Sequence, residues 1–114
     1  MMTFTDFRRL YSEAMEANDV EMYIAERGWQ DWMDDDNNPA DTLTSIYSMA
    51  NGGIASIVEA SKLNKTDFCR TFTIPRSTFF DWQAGGNNFS YTLLWLSYAV
   101  LNFRLEGRND TDTN

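Results

Sequence analysis

The segment from Leu63 to Ala84 constrains the fold of this chain most, because its apolar residues recur at spacings that suit two short crossing helices. Those apolar residues are Phe68, Cys69, Phe72, Ile74, Phe79 and Trp82. Side chains spaced in this way let two helices bury one face against each other. Pro75 stands where the second helix would begin, a position that tolerates proline because the first amide of a helix has no intrahelical partner. The segment therefore predicts a helix-turn-helix over residues 64–84.

The predicted second helix also carries polar side chains of the kind that contact phosphates and base edges. Its candidate DNA-binding residues are Arg76, Ser77, Thr78, Phe80 and Gln83. Lys65 and Arg70 on the first helix are the candidates for phosphate contacts. Arginine and glutamine can read guanine and adenine through paired hydrogen bonds. These residues together predict an interface for double-stranded DNA.

The same spacing resembles the lambda-repressor-like (Cro/repressor-type) helix-turn-helix family over about residues 53–103. In that family a polar residue opens the first helix, a small residue follows four positions later, and a tight turn follows after four more. An apolar residue then anchors the second helix, and a tryptophan closes it. The corresponding residues here are Lys65, Cys69, Thr73, Phe79 and Trp82, followed by Gly85–Gly86 and another apolar helix. The resemblance implies a helical bundle that regulates transcription by binding DNA, of the type that mobile elements carry.

Three positions depart from the family pattern. Glycine usually occupies the position of Thr73, where it supplies a positive φ, and a β-branched residue adopts that conformation only at a cost. Phe79 is bulkier than usual, and Pro75 replaces the common serine cap. We therefore expect a positive φ at Thr73.

The rest of the chain predicts further helices and no strands. With 114 residues and 43% hydrophobic content, one packed core is feasible. We expect an all-α fold of five to seven helices, a lambda-repressor-like helix-turn-helix bundle with an N-terminal acidic helical extension. The predicted divisions are an acidic helical extension at 1–52, a helix-turn-helix domain at 53–105 and a flexible tail at 106–114. Gly52–Gly53 is predicted to break a helix at the first boundary.

An acidic run at residues 34–38 allows two interpretations. Its alternating oxygen side chains are similar to the opening of a calcium loop, but Pro39 replaces the glycine and Ser45 the glutamate that such a loop requires. The alternative is that Asn38 caps a helix whose first turn contains Pro39 and Asp41. The second interpretation fits the residues better, and we expect no metal.

Composition argues against catalysis. The chain has no histidine and one cysteine, so zinc fingers, Ser/His/Asp triads and Cys/His dyads are excluded. Neither a Walker-type loop nor a GxGxxG loop is present. We expect a protein that is not an enzyme and has no cofactor. Because a lone cysteine cannot form an internal disulfide and no apolar run is long enough to span a bilayer, we also expect a cytoplasmic protein without a membrane segment.

Charge divides the chain into two halves with different properties. Residues 1–52 hold eleven acidic and three basic side chains and account for the whole net charge of −8, whereas residues 62–84 carry +2. The basic segment favours a DNA regulator, and its small charge suggests a homodimer on two half-sites. The acidic half, together with Phe80 and Asp81, favours an alternative. In that alternative the chain is an acidic protein-binding module or inhibitor, for example of a host defence protein, that keeps the fold without DNA readout.

The excess of aromatic residues also indicates a homodimer, since it exceeds what one small core requires. The candidate contact residues are Trp95, Tyr98 and the Trp29–Trp32 cluster. The sequence also predicts that one core contains the apolar residues Phe68, Phe72, Ile74, Phe79, Trp82, Leu94 and Leu96.

Overall fold

A computed structural model of the chain describes the backbone of residues 2–85 and 90–112 and the side chains of residues 2–85 and 91–105. The helices are α1 (Phe4–Glu16), α2 (Val20–Arg27), α3 (Pro39–Ser61), α4 (Lys65–Thr71), α5 (Arg76–Ala84) and α6 (Ser90–Asp112), with a 3₁₀ turn at Asp31–Asp35. No strand occurs in these described ranges. The prediction of an all-α fold with five to seven helices is confirmed.

Local capping explains where most of these helices begin. Thr3 forms a reciprocal capping box at the start of α1. Asp19, Asn38 and Asn64 each accept a hydrogen bond from the backbone amide three residues ahead, at 2.8, 3.2 and 2.8 Å. Pro39 follows Asn38 as the first helical residue. The interpretation of residues 34–38 as the approach to a capped helix is therefore confirmed.

Helix α3 consists of two arms that meet at Gly53. That glycine has φ 69° and ψ −158°, a conformation outside the helical region. We call residues 39–52 the first arm and residues 54–61 the second arm. Ser56 packs so closely over Gly52 that a Cβ added there would lie 2.7 Å from the Ser56 Cβ. The predicted break at Gly52–Gly53 is confirmed, and it divides one long helix into two arms joined by a kink.

A single hydrophobic core surrounds α3, which packs against all five other α-helices. Its fully buried side chains come from both halves of the sequence and include Phe7, Leu10, Ile46, Ile57, Phe68 and Val100. All seven predicted core residues belong to this cluster; Phe68, Phe79 and Leu94 are buried, and the other four are half-buried against it. The acidic extension and the predicted DNA-binding segment thus share one core.

One charged group is buried between α1 and α2. The side chain of Arg27 is 9% exposed and pairs with the Glu13 carboxylate at 2.8 Å. Its Nε donates to the carbonyl of Tyr23 at 3.0 Å, and its guanidinium lies 4.8 Å from the centre of the Tyr23 ring. The Tyr23 hydroxyl donates to the Leu10 carbonyl at 2.8 Å. The ion pair with Glu13 and the Nε bond to the Tyr23 carbonyl offset the cost of burying this charge.

The last helix extends past the predicted domain end. Its backbone runs from Ser90 to Asp112 and enters the 106–114 segment, whose side chains lie outside the described residues. Among the described helices, none has both the length and the apolar content needed to cross a lipid bilayer.

Candidate nucleic-acid interface

The turn between α4 and α5 closes α4 with a pair of backbone hydrogen bonds. The amide of Ile74 donates to the Cys69 carbonyl at 2.8 Å, and the amide of Thr73 donates to the Arg70 carbonyl at 3.4 Å. This pattern is a Schellman motif, in which the residue after the helix cap adopts the left-handed conformation. Thr73 occupies that position with φ 56°. The expected positive φ at Thr73 is confirmed.

Aromatic side chains determine how α5 is rotated against the core. The rings of Phe68 on α4 and Phe79 on α5 are 6.1 Å apart, and those of Phe68 and Phe72 are 5.0 Å apart. Phe72 in turn meets Phe103 of α6 edge to face at 5.6 Å. Because Phe79 is buried and Trp82 is half-buried, the opposite side of α5 faces solvent.

The structure exposes six of the seven predicted contact residues. Those six are Lys65, Arg70, Arg76, Ser77, Phe80 and Gln83, whereas Thr78 is half-buried. Arg76, Phe80 and Gln83 lie at i, i+4 and i+7, so they share one face of α5. The exposed fraction of Phe80 is 60%. Most of the predicted DNA-binding residues thus lie on the solvent-exposed surface of α5.

Local charges limit the positive potential of this surface. Arg70 pairs with Asp67 at 2.8 Å, and both side chains are exposed. Asp81 lies on α5 and is exposed too. Within the described ranges, Arg76 forms no ion pair, which leaves its charge open to an external anion. Arg76 and Lys65 are therefore the open cations of the candidate interface, and Arg70 contributes less than its sequence position suggests.

The amino end of α5 presents open backbone donors beside Arg76. Pro75 caps the helix without a side-chain hydrogen bond, and its carbonyl accepts from the amide of Phe79 at 3.0 Å. The amides of the first turn have no side-chain acceptor from the cap. Helix amino ends carry a partial positive charge that favours phosphate oxygens. A guanidinium and free amides at one helix end can therefore act on the same phosphate.

The predicted dimer contacts are exposed to different degrees. Trp29 is 72% exposed, whereas Trp32 is 4% exposed and lies in the core of its own chain. Trp95 is 43% exposed, and its ring stacks on Phe4 at 3.7 Å. Tyr98 is half-buried. Trp29 and Trp95 are thus the tryptophans that remain open to a second molecule.

The described side chains form no group of three or more histidine, cysteine or acidic residues that could hold a metal ion. Comparisons with protein-family models, with curated proteins and with solved structures found no match to the chain.

Sequence reasoning missed a second polar feature, the contact between Arg104 on α6 and the first arm of α3. Arg104 donates to the Ser45 hydroxyl at 2.6 Å and to the Asp41 carboxylate at 3.3 Å. The signal in the sequence was Arg104 itself, the one charged residue within the otherwise uncharged stretch 91–105. Its partners lie about sixty positions earlier in the chain, so no local spacing could have identified them.

Proposed function

We propose that this protein is a small transcriptional regulator, of the type that mobile elements carry, which binds double-stranded DNA by placing α5 in the major groove. The observation that supports this most directly is the outward face of α5. Arg76, Phe80 and Gln83 share that face, while Phe79 and Trp82 hold the helix to the core. A second helix oriented in this way is the reading element of helix-turn-helix proteins.

The left-handed turn at Thr73 supports the same proposal. The turn closes α4 at Thr71, and α5 begins at Arg76 after four intervening residues. The family that the sequence resembles places glycine at this position for the same backbone conformation. A left-handed residue at the position where that family has glycine supports the lambda-repressor-like bundle, and through that bundle the proposal of DNA readout.

Electrostatics predict weak binding by a single copy. Lys65 and Arg76 remain as unpaired cations on the α4–α5 surface, because Arg70 is engaged with Asp67. Each neutralised phosphate adds about −0.9 to the slope of log affinity against log salt. A homodimer that binds two half-sites would double the number of contacts. We propose such a homodimer, with Trp29 or Trp95 as contact residues.

A salt titration of duplex binding tests the proposal. A fluorescent duplex selected from a random pool should bind the full chain with a log-log slope of several units. The Arg76→Ala variant should lose about 1 to 3 kcal/mol of binding free energy. Arg8→Ala is the matched control, because Arg8 is an exposed arginine on α1 outside the interface. An equal loss in both variants would show that only total charge matters, and no binding at any salt would end the DNA proposal.

A second candidate function is binding to a protein partner, for which Phe80 and Asp81 are the specific observations. An aromatic side chain that is 60% exposed suits a protein interface, and an exposed aspartate on the same helix repels phosphate. A folded chain that ignores DNA at every salt concentration would favour this function. The acidic half would then supply the charge that attracts a basic partner.

A further inference from the structure

A polar cleft with a volume of about 250 Å³ lies between the two arms of α3 and Arg104 of α6. The first arm contributes Asp41, Ser45 and Ser48, and the second arm contributes Ser56 and Glu59, followed by Lys62. The cleft exists because Gly53 interrupts the helix, so polar side chains from two helical arms face one space. Hydroxyl, carboxylate and cationic groups therefore meet at a place that neither arm would form alone.

Arg104 is the fixed cation of the cleft. Its side chain is 13% exposed, and it donates to the hydroxyl of Ser45 at 2.6 Å and to the carboxylate of Asp41 at 3.3 Å. Guanidinium carries five N–H donors in a rigid plane, so these two bonds leave donors for another oxygen. Partial burial strengthens any such bond, because the local dielectric constant is lower than that of water.

Lys62 supplies the second cation from a strained backbone position. It caps α3 with φ 65° and ψ 15°, the left-handed conformation that glycine adopts at much lower cost. Its side chain is exposed and lines the cleft. Residues held in unfavourable backbone conformations cluster at ligand sites and other functional sites. The helix end at Lys62 thus places a second cation at the edge of the cleft.

The charges of the cleft select the class of ligand. The cleft has two positive side chains, Arg104 and Lys62, which repel a cationic ligand. It also has two negative side chains, Asp41 and Glu59, which repel an anionic ligand. A free anion is also opposed by the net charge of −8 on the chain. A neutral molecule with one negative and one positive group escapes both penalties and can satisfy both pairs.

We propose that this cleft binds a small zwitterion, a free α-amino acid in chemical class. Its carboxylate pairs with Arg104 and Lys62, and its ammonium group donates to Glu59 and Asp41. The hydroxyls of the lining serines bind its polar side chain. The volume lies just under the range of about 300 to 1,000 Å³ that drug-sized ligands occupy, which suits a ligand of this size. The proposal is independent of DNA binding.

Thermal unfolding of the full chain is the first test. The probes are the free proteinogenic L-amino acids at millimolar concentration, with succinate as a dianion and putrescine as a dication. At least one amino acid should raise the melting temperature, since a ligand that binds only the folded state stabilises it. Succinate and putrescine should not. A rise with succinate or putrescine alone, or with no probe, would overturn the proposal.

Two variants locate the site by calorimetric titration with the amino acid that gives the largest rise. Lys62→Gly and Glu59→Gln should each weaken binding by about tenfold or more, the factor expected for one charged hydrogen bond. Lys62→Gly should also raise the melting temperature without ligand, because it relieves the left-handed lysine, so weaker binding cannot come from unfolding. Glu21→Gln on α2 is the matched control and should bind normally. Unchanged affinity in both cleft variants would refute this location.

Discussion

Replacing Thr73 with glycine should stabilise the protein, although glycine normally destabilises a folded chain. Thr73 has φ 56° and an exposed side chain for which the structure shows no hydrogen bond among the described residues. A residue with a Cβ loses about 1 to 2 kcal/mol in the left-handed conformation. Glycine avoids that strain but gains about 0.5 to 1 kcal/mol of extra unfolded-state entropy. The net expected gain is about 0.5 to 1 kcal/mol.

Urea unfolding followed by circular dichroism measures this difference. A gain of that size corresponds to about 2 to 6 °C in melting temperature for a chain of this length. Thr66→Gly is the matched control, since Thr66 is an exposed threonine inside α4. There glycine should destabilise by about 0.3 to 0.5 kcal/mol through helix propensity alone.

Opposite signs for the two threonine variants would identify backbone strain at the turn as the cause. A loss of stability in Thr73→Gly equal to that in Thr66→Gly would refute the reasoning. In that case the threonine would be making a contact that offsets its unfavourable conformation.

Three further predictions concern the core, the helix break and alkaline pH. Phe68→Ala should cost about 3 to 5 kcal/mol of unfolding free energy, because Phe68 is fully buried, whereas Phe80→Ala should change it by less than about 0.5 kcal/mol. Chemical unfolding of both variants checks that α4 buries Phe68 and that α5 exposes Phe80 to solvent. Gly52→Ala should lower the melting temperature, despite the better helix propensity of alanine, because the added Cβ would clash with the Ser56 side chain. Adding Ser56→Gly in the same chain should restore the melting temperature by removing that side chain. If the effects of the two substitutions on melting temperature were simply additive, this packing would be contradicted. Burial raises the pKa of Tyr23 above its ordinary value of 10.0. As the pH rises, the unfolded chain therefore loses the Tyr23 hydroxyl proton before the folded chain does. The contribution of Tyr23 to the free energy of unfolding is complete below about pH 10 and declines above it by up to about 1.4 kcal/mol per pH unit. Unfolding at pH 8 and at pH 10.5 should show that decline in the parent and a smaller one in Tyr23→Phe, and equal declines would refute the assignment.

The local features of this protein could be predicted from sequence because each depends on residues a few positions apart. Asn64 caps α4 by accepting from an amide three residues ahead, and Gly53 breaks α3 by its own backbone conformation. The turn at Thr73 closes through bonds within five residues. Apolar spacing likewise placed Phe68 and Phe79 in the core. In each case the determining energy is short-range, so the linear order of residues is sufficient.

The exposure of side chains could be decided only by tertiary packing. Trp29 and Trp32 are three residues apart and chemically identical, yet one is 72% exposed and the other 4%. Thr78 belongs to the predicted polar surface, but the rotation of α5 around Phe79 leaves it half-buried. These outcomes depend on which face of each helix meets a neighbour, and the sequence pattern left more than one face possible.

The amino-acid sequence by itself therefore determined the all-helical fold, the caps at Asn38 and Asn64, the break at Gly53 and the left-handed turn at Thr73. Tertiary structure alone created the polar cleft, since Arg104 reaches Asp41 across 63 positions of the chain. It also joined the acidic half and the α4–α5 pair around one α3. The physical reason is range: hydrogen bonds within a turn act on neighbours, whereas contacts between helices depend on the angle at Gly53 and on the packing of every helix against α3.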